Sequence, residues 1–136
     1  MSEENIEIVR GAFTALQDAQ PEGLTDQVLG EFFDPGLEWV PVPQGVLAGN
    51  RYVGFDGIRR FLSDFGAAWD ELRIEPEELR QSDDRVIAVL RVRGRMHDLE
   101  VDEVWSALYV LRDQRIARVE AFTSQEGALE AAGLSE

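Results

Sequence analysis

The stretch Ile58-Arg59-Arg60-Phe61-Leu62-Ser63-Asp64-Phe65-Gly66-Ala67-Ala68-Trp69-Asp70-Glu71-Leu72 decides the fold, because the hydrophobic period changes where it ends. Ile58, Phe61, Leu62, Phe65, Trp69 and Leu72 recur at spacings of three and four, the stripe of an amphipathic helix, and Asp56 is placed to cap it. Beyond Leu72 the chain reads as strands. Leu72 to Gln81 is extended, with Pro76 marking an edge or a bulge. Ser82-Asp83-Asp84 is a turn, Arg85 to Met96 is rich in Val, Ile and Leu, and His97-Asp98 turns the chain back. Leu99 to Leu111 alternates in part, Asp113-Gln114 sits where a tight hairpin belongs, and Arg115 to Thr123 is the last strand.

Upstream the period is helical. Ser2 is an N-cap candidate with Glu3 and Glu4 in the first turn, and Ile6, Val9, Phe13 and Leu16 form one apolar stripe. Pro21 opens a second helix through Leu24, Val28 and Phe32, which Asp34-Pro35-Gly36 stops. Leu37 to Val40 is too short and too turn-bounded for a helix and reads as a strand; Pro41, Pro43, Gly45 and Gly49 mark a loop after it. Ser124 caps a short final helix that ends near Gly133. Helices first and a strand meander second predict an α+β fold: three N-terminal helices packed into a curved sheet, a short C-terminal helix, and one domain over residues 1–136.

Composition narrows the partners. The chain has 136 residues and is 44% apolar, enough for a sizeable core. Its formal charge of −14 opposes binding to nucleic acid, which needs a basic footprint, and to anionic membrane surfaces. Cysteine is absent, which excludes disulfides, thiol catalysis and thiolate metal sites. One histidine and scattered carboxylates show no metal-ligand spacing, so neither a metal nor a cofactor is expected. The acidic start lacks the basic and apolar regions of a signal peptide and no apolar run is long enough to span a membrane, so a cytoplasmic place is the default expectation.

The order of segments resembles the NTF2-like superfamily, in particular its SnoaL-like branch. The resemblance is carried by Ile6 to Phe13, Asp34 to Trp39, Gly54 to Leu62, Leu111 to Ile116 and Ala128 to Leu134, and it runs over nearly the full chain. It implies a cone whose curved mixed sheet wraps the helices around a mostly apolar pocket. It also implies homodimers that pair through the outer face of the sheet. Relatives include ketosteroid isomerases, polyketide cyclases, limonene-type epoxide hydrolases and non-catalytic binding modules, so the resemblance specifies a fold more than an activity.

Residue by residue, the relatives' chemistry transfers poorly. The isomerase tyrosine, base and late acid fall on Phe13, on or beside Val40, and near Ser106, so that mechanism is lost. The hydrolase Arg-x-Asp pair falls on Arg91 and Arg93, with Glu120 at or beside the second acid. Those three either form a polar cluster in the pocket or belong to an exposed cross-strand ion network. For cyclase-type proton abstraction the candidates are Glu38, Asp102 and Glu120; Glu120 and Glu38 are the catalytic candidates carried forward. His97 beside Asp98 reads as an exposed turn residue.

The resemblance then implies a pocket comprising Phe13, Val40, Phe61, Phe65, Arg91, Arg93, Ser106 and Glu120, and a small apolar organic molecule as its ligand. If Ser106 faces inward, Trp105 and Tyr109 face outward, where a homodimer interface would cover them. A cofactor-free lyase, isomerase, cyclase or hydrolase and a non-catalytic ligand-binding or scaffold protein are both compatible with this pattern. A pocket carboxylate is what separates them.

Overall fold

A computed structural model describes residues 4–18, 23–41, 51–67 and 69–122. The described elements are α1 (Glu4–Asp18), α2 (Asp26–Gly30), β1 (Phe33–Val40), β2 (Tyr52–Val53), α3 (Gly54–Ala67), β3 (Glu71–Ser82), β4 (Arg85–Met96), β5 (Leu99–Arg112) and β6 (Arg115–Phe122). The strands form one mixed sheet in the order β2-β1-β6-β5-β4-β3. Among the described strands only β1 and β6 pair in parallel, and the other neighbours are antiparallel. This is the expected α+β roll, a curved sheet with helices α1 and α3 against its inner face. The C-terminal helix expected after Ser124, and the caps and loop residues Ser2, Pro21, Pro43, Gly45 and Gly49, lie outside the described residues.

Two-residue turns fix the register of the meander. His97 and Asp98 both adopt positive φ (52° and 70°), as do Asp113 and Gln114 (53° and 66°). That is the backbone of the tight hairpin whose twist matches its strands. Met96 therefore faces Leu99 and Arg112 faces Arg115. Pro76 sits on edge strand β3 beside a register shift between Pro76 and Glu78, as a residue without a ladder donor should.

Three boundaries differ from the sequence reading. Asp34-Pro35-Gly36 does not end a helix. It lies inside β1 as an irregularity between Phe33 and Glu38, where the Asp34 carboxylate accepts from the Gly36 N–H at 2.8 Å. Helix α2 is shorter than expected and is capped by Thr25, whose hydroxyl accepts from the Val28 N–H. Helix α3 stops at Ala67, so Trp69 and Leu72 belong to the turn and to β3. Gly54, at φ 75°, opens α3 directly after the short strand β2, and Asp56 sits in its first turn instead of capping it.

The core lies between the helices and the inner sheet face. Val9, Leu29, Phe33, Leu37, Tyr52, Ile58, Val86, Val92, Ile116 and Val119 are all buried within it. Arg59 ties α3 to α2: its Nε donates to the Leu24 carbonyl at 2.8 Å, and its Nη2 lies 2.5 Å from Asp26. Gly94 is a packing requirement. A Cβ there would sit 2.2 Å from the Glu71 carbonyl oxygen and 2.8 Å from the Trp69 ring, so the indole lies flush on β4 only because no side chain intervenes.

Candidate functional site

Helix α1 turns Ala12, Phe13 and Leu16 toward the sheet, and α3 turns Phe61, Leu62, Phe65 and Gly66 the same way, as their three- and four-residue spacings dictate. The inner sheet face supplies Trp39, Ile74, Leu90, Val101, Trp105, Tyr109 and Val119. Together they enclose a cavity of about 650 Å³. Space survives because the wall is small in places. Ala107 of β5 faces Ala121 of β6 in register, and Ala12 and Gly66 stand on the helices above.

Aromatic rings make a continuous wall. Trp39 stacks on Phe61 (centroids 4.7 Å apart, planes 27°), and Phe61 stacks on Phe65 (5.4 Å, 11°). Phe65 continues the row to Trp69 and meets Trp105 edge-on at 6.2 Å. Phe13 and Tyr109, 6.1 Å apart, form a second aromatic contact in the lining. All three tryptophans of the chain line this space.

Few polar groups reach it. The Tyr109 phenol is buried and burial pushes its pKa well above the ordinary tyrosine value, so it is a neutral hydrogen-bond donor at any physiological pH. The Trp69 indole N–H is buried with no acceptor in reach. Glu103 lies on the inner face at the exposed mouth, and its Oε1 accepts the Trp105 Nε1–H at 2.7 Å. Arg73 borders the rim, but alternation gives its side chain to the outer face, where its Nε is 3.3 Å from Glu75.

Of the residues expected to form the pocket, Phe13, Phe61 and Phe65 line it. Val40, Arg91, Arg93, Ser106 and Glu120 do not, nor does Glu38. Trp39 takes the inner face of β1, which sends Glu38 and Val40 outward, and Glu120 pairs in register with Val40 and Leu108 on that same outer face. Glu38 is bound there by Arg118 Nη1 at 2.6 Å and Arg51 at 2.9 Å, while Glu120 lies 3.6 Å from Arg118.

Arg91 grips Asp102 with two bonds of 2.7 and 3.0 Å, and Arg93 stands 3.8 Å from the same carboxylate. That mutual hydrogen bonding raises the Arg91 pKa and lowers that of Asp102. These arginines are the exposed cross-strand ion network, not a polar cluster in the pocket. His97 occupies its turn and uses its backbone N–H on Asp70.

The two faces of β5 are the reverse of the expectation. Ser106 is wholly buried, but on the outer side between Val89 and Phe122 in register. Trp105 and Tyr109 point into the cavity, and Tyr109 is only 6% exposed. They are wall residues and not an interface left for a second copy. Sequence reasoning missed Trp39 and Glu103 as lining residues. The signal for Glu103 and Trp105 was present in the hairpin: a two-residue turn at His97-Asp98 pairs Arg91 and Arg93 with Val104 and Asp102, which puts the odd-numbered residues of β5 on the other face.

Among the described residues no three His, Cys, Asp or Glu side chains gather as metal ligands, and no helix is long and apolar enough to cross a membrane.

A family model described as a SnoaL-like domain matches residues 9–119. Among solved structures, TerC co-crystallised with polyporic acid is 22% identical, with a TM-score of 0.73, over 93% of this chain and 96% of that one. An NTF2-like protein from Burkholderia xenovorans is 18% identical, with a TM-score of 0.72 over 96% and 97%. A protein with a ketosteroid isomerase-like fold from Catenulispora acidiphila, in complex with trimethylamine, is 18% identical, with a TM-score of 0.69 over 95% and 94%. No curated protein matches the chain.

Proposed function

This chain belongs to the SnoaL-like family of NTF2-like folds, and we propose that it binds a small, largely apolar organic molecule in the cavity between α1, α3 and the sheet, without converting it. The observation that carries this reading is the lining: about 650 Å³ walled by aromatic and aliphatic side chains, with no buried carboxylate among the described residues. A cofactor-free lyase, isomerase, cyclase or hydrolase needs a base held against its ligand. The candidates Glu38 and Glu120 stand on the other side of the sheet with arginine partners. Glu103 is at the solvent-exposed mouth and already accepts from Trp105. What remains at depth is the neutral Tyr109 phenol, which can orient a ligand oxygen but cannot take a proton from carbon.

Neighbours of the same fold hold polyporic acid in one case and trimethylamine in another, which supports a small-molecule role and leaves the ligand's charge to the individual chain. The same reading keeps the protein cytoplasmic and homodimeric, pairing through the outer face, where Val104 is 46% exposed among the Arg91 and Asp102 ion pairs. Tryptophan emission tests occupancy, since every tryptophan is in the wall. Titration with adamantylmethanol, a compact apolar alcohol that does not absorb, should give a saturable one-site change. If neither this alcohol nor a panel of larger terpene alcohols changes the emission saturably, the reading is wrong.

A further inference from the structure

Among the described lining residues Glu103 is the carboxylate, and it has no arginine partner, unlike Glu38, Asp102 and Glu120. On the inner face it stands in register with Val92, with Ile74 one strand further and Val101 and Trp105 on either side along β5. No described cation lies within ion-pair distance of it. The nearest arginines in the ladder, Arg91 and Arg93, project from the opposite face and are committed to Asp102. Arg73, at the rim, is 75% exposed and turned to Glu75. Trp105 uses one oxygen, Oε1, and leaves Oε2 without a described partner. That indole bond also holds the carboxylate against the mouth, because Trp105 is itself packed edge-on against Phe65.

An ionised carboxylate only accepts hydrogen bonds, so a ligand group beside Oε2 must be a donor, and a positive one is favoured over a neutral one. A ligand carboxylate there would meet like charge at the entrance. The ring faces do not supply an alternative cation site at the centre of the wall: Phe61 has Trp39 stacked at 4.7 Å and Phe65 at 5.4 Å. The net charge of −14 further steers cations toward the molecule.

We infer that Glu103 makes this cavity selective for amphipathic amines, with the apolar body inside and the alkylammonium head at the mouth on Glu103 Oε2. The inference rests on the binding reading above and adds the ligand's charge. Its test compares adamantylmethylamine, adamantylmethanol and adamantane carboxylate by calorimetric titration at neutral pH, on the wild-type chain and on Glu103→Gln. Glutamine keeps an oxygen for the Trp105 indole and removes only the charge. The amine should bind about two- to fivefold tighter than the alcohol, the scale of a solvent-exposed ion pair, and the carboxylate should bind weakest.

In Glu103→Gln the amine and alcohol should become equal. The control Glu100→Gln, on the outer face opposite Arg95, should keep the preference. Equal binding of amine and alcohol by the wild type overturns this inference and leaves the apolar cavity standing. A preference that survives Glu103→Gln, or vanishes equally in Glu100→Gln, overturns it by showing that general charge is being read. If none of the three binds, this inference fails, and the cavity reading fails with it when the larger terpene alcohols do not bind either.

Discussion

Replacing Gly94 by alanine adds one methyl group at the point where β3, β4 and Trp69 come closest. The added carbon would lie 2.2 Å from the Glu71 carbonyl oxygen and 2.8 Å from Trp69 Cε3, against an ordinary contact of 3.4–4 Å. The carbonyl is backbone in a paired strand and cannot swing away. Relief therefore requires β3 to part from β4 at the Leu72–Gly94 pair, next to the bond that Asp70 N–H donates to the Arg95 carbonyl at 2.7 Å. Overpacking of this kind costs roughly 1–3 kcal/mol and a weakened ladder bond about 1 kcal/mol more, so a loss of about 2–4 kcal/mol is expected.

For a chain of this size that is on the order of 10 °C in the thermal midpoint. Urea unfolding followed by tryptophan emission measures both consequences, the lower midpoint and an altered native spectrum from a displaced Trp69. Gly66→Ala is the matched control. Nothing lies within 4 Å of its added carbon, it is inside α3, and it should stabilise by about 0.5–1 kcal/mol. If Gly94→Ala unfolds within about 0.5 kcal/mol of wild type, with unchanged emission, the packing account of Trp69 is refuted.

Ala107→Phe puts a ring into the cavity from the middle of β5. It should abolish the emission response to adamantylmethanol while leaving the far-ultraviolet circular dichroism unchanged. Glu120→Gln, on the outer face beside Arg118, should leave ligand affinity unaltered in the same titration; a loss of binding would return Glu120 to the site. Tyr109 has a folded pKa raised by burial above its ordinary value of 10.0, so its contribution to stability is present below that value and is lost as pH rises beyond it. Tyr109→Phe should therefore unfold at higher pH than wild type in an alkaline titration read by circular dichroism.

The ends of the strands were legible because their turns carry their own chemistry. His97-Asp98 and Asp113-Gln114 bound β4, β5 and β6 in the sequence and in the structure alike. The shorter elements were not. Tyr52-Val53 is a two-residue strand held by pairing with Glu38 and Trp39, contacts far away along the chain that no local period reveals. The stripe through Trp69 and Leu72 kept helical spacing past the true end of α3: Trp69 packs into the same core from the turn, whereas Leu72, 37% exposed on β3, only shares the spacing.

The faces of β5 misled for a different reason. Both sides carry large apolar residues, Trp105 and Tyr109 on one and Val104 and Leu108 on the other, so alternation alone is silent about which is inside. The arginines of β4, read across the hairpin, hold that information. The site suffered accordingly. The helix aromatics Phe13, Phe61 and Phe65, which the resemblance set around a pocket, border the cavity, while every polar candidate on a strand lay on the far side of the sheet.

The facing pair Ala107 and Ala121 has a consequence for how a lineage of such chains changes. Both residues border the cavity, so larger side chains there can extend toward its space and not only into the close-packed interior that usually penalises growth. Mutations at these two positions would alter which molecules are admitted at a smaller cost in folding free energy than growth elsewhere in the core. Drift and selection can then revise the guest without first acquiring compensating changes in the frame. Closely related chains are therefore expected to part company in ligand preference sooner than in architecture.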